Sequence, residues 1–150
     1  MVSPVQFSSS YPPLSSTTYL PKIPVIHTIL TPTQGATEIP LLLQGLPRPA
    51  PPAGSEPSIG SGNYSSQRPI IAVVTGGGYD DAAFKLMYEA AKGKGRDVPW
   101  LRCDMSVPTP PLGPEYGKHM VERVKAALGK LGEEGRLDGE WVGMGGVVMF

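Results

Sequence analysis

Residues 69–75 read PIIAVVT and run straight into GGGYDD at 76–81. Positions 70–74 are all apolar, with no polar residue between them. That is the pattern of a strand covered on both faces, as in a parallel sheet. Three glycines then permit a sharp turn. Asp80 is suited to cap a following helix and Asp81 lies favourably in its first turn. A helix is predicted over 81–92, with Ala83, Phe84, Met87 and Ala91 at helical spacing and Gly93 and Gly95 ending it. A buried strand that turns into an amphipathic helix is the repeating unit of α/β folds.

The pattern continues on both sides. Residues 98–103, VPWLRC, predict another short strand, and MSVPTPPLG a loop. Pro114 suits a first helical position. Tyr116, Met120, Val124, Leu128 and Leu131 then form an apolar stripe on a helix ending near Gly132. Upstream, residues 24–30, PVIHTIL, predict a short strand ended by Thr31 and Pro32. A helix follows over 33–44 and closes at Gly45. Pro40 means that this helix either starts late, near Thr37, or bends there. The expected architecture is a small three-layer Rossmann-like α/β domain with a short parallel sheet and right-handed crossovers. Residues 1–21 are expected to be a disordered or loosely packed arm. Residues 22–140 form a single domain containing a long mobile Pro/Gly/Ser loop at 46–67. The apolar tail, 141–150, is read as an edge strand.

Composition supports that division and removes several function classes. Only Lys22, Glu38, Arg48 and Glu56 are charged in the first 67 residues, and thirteen of the eighteen prolines fall in 1–69. Net charge is zero, with no basic stripe, which argues against a nucleic-acid partner. No stretch approaches a membrane span, and the opening residues make a poor signal or transit peptide. The single cysteine, Cys103, excludes an internal disulfide and fits a reducing, cytoplasmic location. One Cys and two distant histidines, His27 and His119, give no metal-binding spacing.

In a parallel sheet, successive strands end along one edge, the usual ligand crevice. Thr31, Thr75, Gly76, Gly77, Gly78, Tyr79, Asp80, Arg102, Cys103 and Asp104 are expected to share it. Against a nucleotide site, a G-x-G-x-x-G fingerprint from Gly76 needs glycine where Asp81 stands, and one from Gly77 fails at Tyr79. VVTGGGYDD imitates only the start of the short-chain dehydrogenase turn, and two carboxylates beside the helix start repel phosphate. A turn with an N-cap is therefore preferred to a phosphate cradle. Arg102 is a clamp for a carboxylate or phosphate, or else one half of a surface pair with an acid. Cys103 is a nucleophile only if a base activates it. Tyr88 and Lys92 match Y-x-x-x-K, but directly after the turn and on the outer face of the helix, so the match is read as chance. His119 is read as a helix-surface histidine. No catalytic residue is assigned.

Four segments carry a resemblance: VIHTILTPTQGATEIPLLLQG at 25–45, NYSSQRPIIAVVTGGGYDDAAF at 63–84, VPWLRCD at 98–104 and GPEYGKHMVERVKAAL at 113–128. Over roughly residues 24–138 the chain resembles a group of small, largely uncharacterised fungal proteins with a Rossmann-like α/β pattern. Members of that group open with a strand, loop and helix, the unit that holds a nucleotide phosphate in a Rossmann fold. Residues 1–21 carry SSSYPPLSSTTY in its place, which implies a sheet one strand short and a truncated or diverged copy. The cofactor stays unassigned: NAD(P) is what a Rossmann-like turn brings to mind, and the failed fingerprint counts against it. Two functions remain. The chain is a small-molecule-binding protein, an accessory factor or weak oxidoreductase in fungal specialised metabolism. Alternatively it is a non-catalytic interaction protein that forms a homodimer or docks a partner.

Overall fold

The computed structural model describes residues 2–6, 23–51, 53–54, 58–65, 68–137 and 146–150, with backbone alone for 2–6. The elements in chain order are β1 (Val2–Gln6), β2 (His27–Thr28), α1 (Pro32–Leu43), β3 (Ile59–Gly60), β4 (Ile70–Thr75), α2 (Asp81–Ala91), β5 (Trp100–Arg102), α3 (Pro114–Glu133) and β6 (Val147–Met149). All six residues of β4 are buried, as its unbroken apolar run requires. The main sheet has the order β1-β4-β5-β6. β4 and β5 are parallel, with Val73 opposite Trp100 and Thr75 opposite Arg102. β6 extends the parallel part, with Arg102 opposite Met149.

Helices cover both faces. On one, Val73 and Trp100 pack with Ile39 and Leu42 of α1 and Phe84 and Met87 of α2. On the other, Ala72, Val74 and Leu101 pack with Leu128 and Leu131 of α3. From Ala72 to Val74 this division follows strand alternation, since neighbours point to opposite faces, while the adjacent Ile71 and Ala72 both join the second cluster. Full burial of one such Leu or Met contributes about 1.5–3 kcal/mol. α1 and α2 approach closely at Gly35, where an added Cβ would strike the Met87 side chain. The chain is thus an α/β protein with a short three-stranded parallel sheet.

The edge strand β1 departs from the expected arm. Val2 to Gln6 pairs antiparallel with β4, from Val2 opposite Thr75 to Gln6 opposite Ile70. Pro4 is compatible with this because β1 lies at the sheet's border, where a missing N–H is tolerated. The rest of the expected arm lies outside the described residues. With β1 on one side of β4 and β5 on the other, β4 has no edge left for the 24–30 segment. The strand expected there does not join the parallel sheet: His27 and Thr28 pair instead with Ile59 and Gly60 in a separate two-stranded sheet. The long loop expected at 46–67 supplies that partner. Of the tail, 147–149 is an edge strand and 141–145 lies outside the described residues.

α1 starts with Thr31, whose hydroxyl accepts from the Gln34 amide at 3.2 Å, and with Pro32 in its first turn. It does not start late, near Thr37, and Pro40 lies inside it. Asp80 caps α2 by accepting from the Ala83 amide at 2.8 Å. Among the described residues, no helix is long and apolar enough to cross a membrane.

Candidate functional site

β4 and β5 end side by side, whereas Thr31, expected on the same edge, follows a segment outside that sheet and caps α1. Thr75 and Arg102 face each other at the exits of β4 and β5, and the Cys103 amide donates to the Thr75 carbonyl at 3.3 Å. Gly77 lies over the same exit: a Cβ there would be 3.6 Å from Cys103 Sγ and 2.6 Å from Met105 Sδ. Tyr79 brings in the 24–30 segment as well, since its hydroxyl donates to the Ile29 carbonyl at 3.2 Å. Partial burial raises the Tyr79 phenol above its ordinary pKa, which keeps that donor protonated.

The side chains of this edge are engaged with one another. Thr75 is fully buried and donates to the Leu101 carbonyl at 3.0 Å. Arg102 pairs with Asp81, and its guanidinium lies 4.7 Å over the Phe84 ring. Cys103 is buried, with no hydrogen bond from Sγ to a base among the described residues. Asp104 accepts from Ser106 through its amide at 2.9 Å and its hydroxyl at 2.6 Å. Those two bonds, with the Arg123 cation nearby, hold the Asp104 carboxyl below its ordinary pKa. Gly76 and Gly78 complete the turn, and nothing crowds the position where Gly78 would carry a side chain.

The Tyr88 match resolves in the same way. Its ring stacks on Phe84 at 5.7 Å and meets Trp100 edge-on at 5.4 Å, so it faces inward rather than along an outer helix face. Lys92 is the exposed capping residue of α2. His119, expected on the helix surface, is half-buried, and its Nε2 has no partner among the described residues.

A second site was not read from the sequence. His27, Gly45, Pro47, Arg48, Gly60, Ser61, Gly62 and Tyr64 line an open cleft of about 490 Å³. Its floor is a buried polar chain. His27 Nε2 lies 2.7 Å from Glu38 Oε2, and Ser58 Oγ donates to the same oxygen at 2.7 Å. Arg48 Nη1 donates to Ser58 Oγ at 2.8 Å and to the Ser58 carbonyl. His27 is 2 % exposed and Glu38 6 %, so this carboxylate is withdrawn from water and held by two donors. The β2–β3 pairing places His27 opposite Gly60, and a Cβ at Gly60 would land on His27 Nδ1. A side chain at position 60 would therefore collide with the imidazole, and glycine avoids that collision. In the neutral ring, a proton on Nε2 shared with Glu38 leaves the lone pair on Nδ1. A histidine fixed by a carboxylate beside a guanidinium can accept a proton or hydrogen bond and bind an anion at once. The signal was present: Glu38 falls on the same helical face as Gly35, Ile39 and Leu42, where an apolar residue is expected.

No family model matches the chain, and no solved structure matches it. The chain is 31% identical over 122 residues to kojic acid related protein 6 of Aspergillus oryzae (strain ATCC 42149 / RIB 40), an alignment that covers 79% of this chain and 69% of that protein. With that identity sustained over more than two thirds of the relative, the chain belongs to the same family of small fungal proteins as kojic acid related protein 6.

Proposed function

We propose that this protein binds a small molecule in the cleft over His27 and serves fungal specialised metabolism as an accessory factor or weak oxidoreductase. The observation that carries the reading is the cleft itself. Its volume of about 490 Å³ falls in the range of small-molecule sites, and a few fixed polar groups converge on it. The metabolic setting is supported by the name of the relative, which ties that protein to kojic acid. The parallel β4–β5 pair and the glycine turn favour a Rossmann-like reading of the fold. The ion pair of Arg102 with Asp81 and the covering of Gly77 by Met105 speak for the cleft over the strand-end edge as the ligand site.

The test is an NMR titration of the ¹⁵N-labelled chain with kojic acid, small organic acids and NAD(P). Shifts confined to His27, Arg48 and residues 60–64 are expected. Shifts at 76–80 with a dinucleotide would move the site to the strand ends, and no shift with any compound would end the reading.

One observation favours the interaction reading. β6 ends the sheet with Val147 and Met149 exposed, and Met105 and Leu112 are 70% and 88% exposed. An open apolar edge is suited to pair with another strand. Sedimentation of the purified chain decides between a monomer and a β6-mediated dimer.

A further inference from the structure

The cleft does more than offer volume, because its two reactive groups are complementary. Arg48 is held by one nitrogen only: Nη1 donates to the Ser58 hydroxyl and carbonyl. That anchoring leaves the Nε–Nη2 edge of the guanidinium without a partner among the described residues. This edge carries two parallel N–H donors, the arrangement that matches a carboxylate. Across the floor lies His27, and in the neutral tautomer that donates from Nε2 to Glu38 its Nδ1, beside Gly60, carries a lone pair. Three hydrogen bonds of 2.8, 2.7 and 2.7 Å connect the two groups through Ser58 and Glu38. Glu38, the acid among these groups, is occupied by its two donors below the cleft.

We infer that the cleft selects a small hydroxy-carboxylic acid, its carboxylate taken by the Nε–Nη2 edge of Arg48 and its hydroxyl donating to Nδ1 of His27. Glu38 and Ser58 are positioning residues: they fix the imidazole tautomer and the guanidinium plane and do not touch the ligand. The inference rests on the reading of this cleft as a small-molecule site.

A rigid series tests it on the full chain: 2-, 3- and 4-hydroxybenzoate, benzoate without the hydroxyl, and phenol without the carboxylate. Binding is read by NMR titration. At least one hydroxybenzoate is expected to bind about tenfold more tightly than both benzoate and phenol, the worth of one charge-assisted hydrogen bond. Arg48→Gln, on an exposed loop, is expected to abolish the preference over phenol while the fold survives. On the unaltered chain, the Nδ1 ¹⁵N resonance of His27 is expected to shift with the hydroxybenzoate and stay still with benzoate, so the histidine is tested without a buried substitution. Equal binding of all five compounds, indifference to Arg48→Gln, or a motionless Nδ1 resonance overturns the inference. Neutral compounds that bind the cleft whatever stands at position 48 would sink this inference alone. Silence from every compound, here and in the kojic acid titration, would sink the cleft reading as well.

Discussion

Glu38 shows at the scale of one residue how a buried charge is tolerated. It receives hydrogen bonds from two donors, and each of them loses its partner if the carboxylate goes. Glu38→Ala is expected to cost about 2–4 kcal/mol in urea unfolding, because His27 Nε2 and the Ser58 hydroxyl proton lose their buried acceptor. Glu38→Gln keeps the volume and is expected to cost less. Half of this network was legible: a lone acid on an apolar helix face signals a buried partner. Its partner was not, because Ser58 stands in a Pro/Gly/Ser stretch with no periodicity, twenty positions away. Asp104 gives a second prediction. Its carboxyl titrates below the ordinary value chiefly because of Ser106. A depressed folded pKa stabilises above the unfolded value, and the contribution is lost as pH falls through the folded one. Ser106→Ala is expected to raise the Asp104 pKa toward normal in a carboxyl ¹³C titration. An unmoved titration would assign the depression to Arg123.

Elements are joined here by close backbone approaches that no propensity announces. Gly95 has φ +69°, and a Cβ on it would lie 2.7 Å from the Gln44 amide nitrogen and from the Leu43 carbonyl carbon. The next residue, Arg96, donates its amide to the Leu43 carbonyl at 3.1 Å, so the chain after α2 closes the end of α1. The sequence marked Gly95 as a helix stop and could not show what it touches. Gly95→Ala combines left-handed strain with a collision against backbone, and is expected to cost about 2–4 kcal/mol by chemical denaturation. The helices and β4 were readable because long or uniform apolar patterns fix them. β1 was not: five residues that include Pro4 carry no alternation to recognise. Residues 24–30 look like a sheet strand for a real reason, as Ile26 and Ile29 are buried. Which strand they pair with was decided elsewhere, by the occupation of both edges of β4.

At the scale of the whole molecule, β4 stands out among the described residues as a strand buried at all six positions. It has strands on both sides and helices over both faces. Its amides, those of 71–74 above all, are expected to exchange with solvent more slowly than those of β6, whose outer side has no strand partner among the described residues. Hydrogen–deuterium exchange checks this, and comparable rates in the two strands would contradict a sheet built around β4. Of the expected strand-end edge, β4 and β5 finish side by side as parallel neighbours must, while the 24–30 segment and Thr31 after it lie outside that sheet. The cleft was out of reach of such reasoning because it depends on a two-residue pairing, His27 with Gly60 and Thr28 with Ile59, between segments far apart in the chain.

The two borders of the sheet are unlike. One carries proline at position 4, the other an unbroken VVM. A border interrupted by proline is a poorer template for strand addition than an unbroken one, so any strand that this sheet took up would be expected at β6. Two copies that met there would use up each other's open side and present none to a third, so growth stops at a pair where a sheet open on both flanks would go on to a fibre.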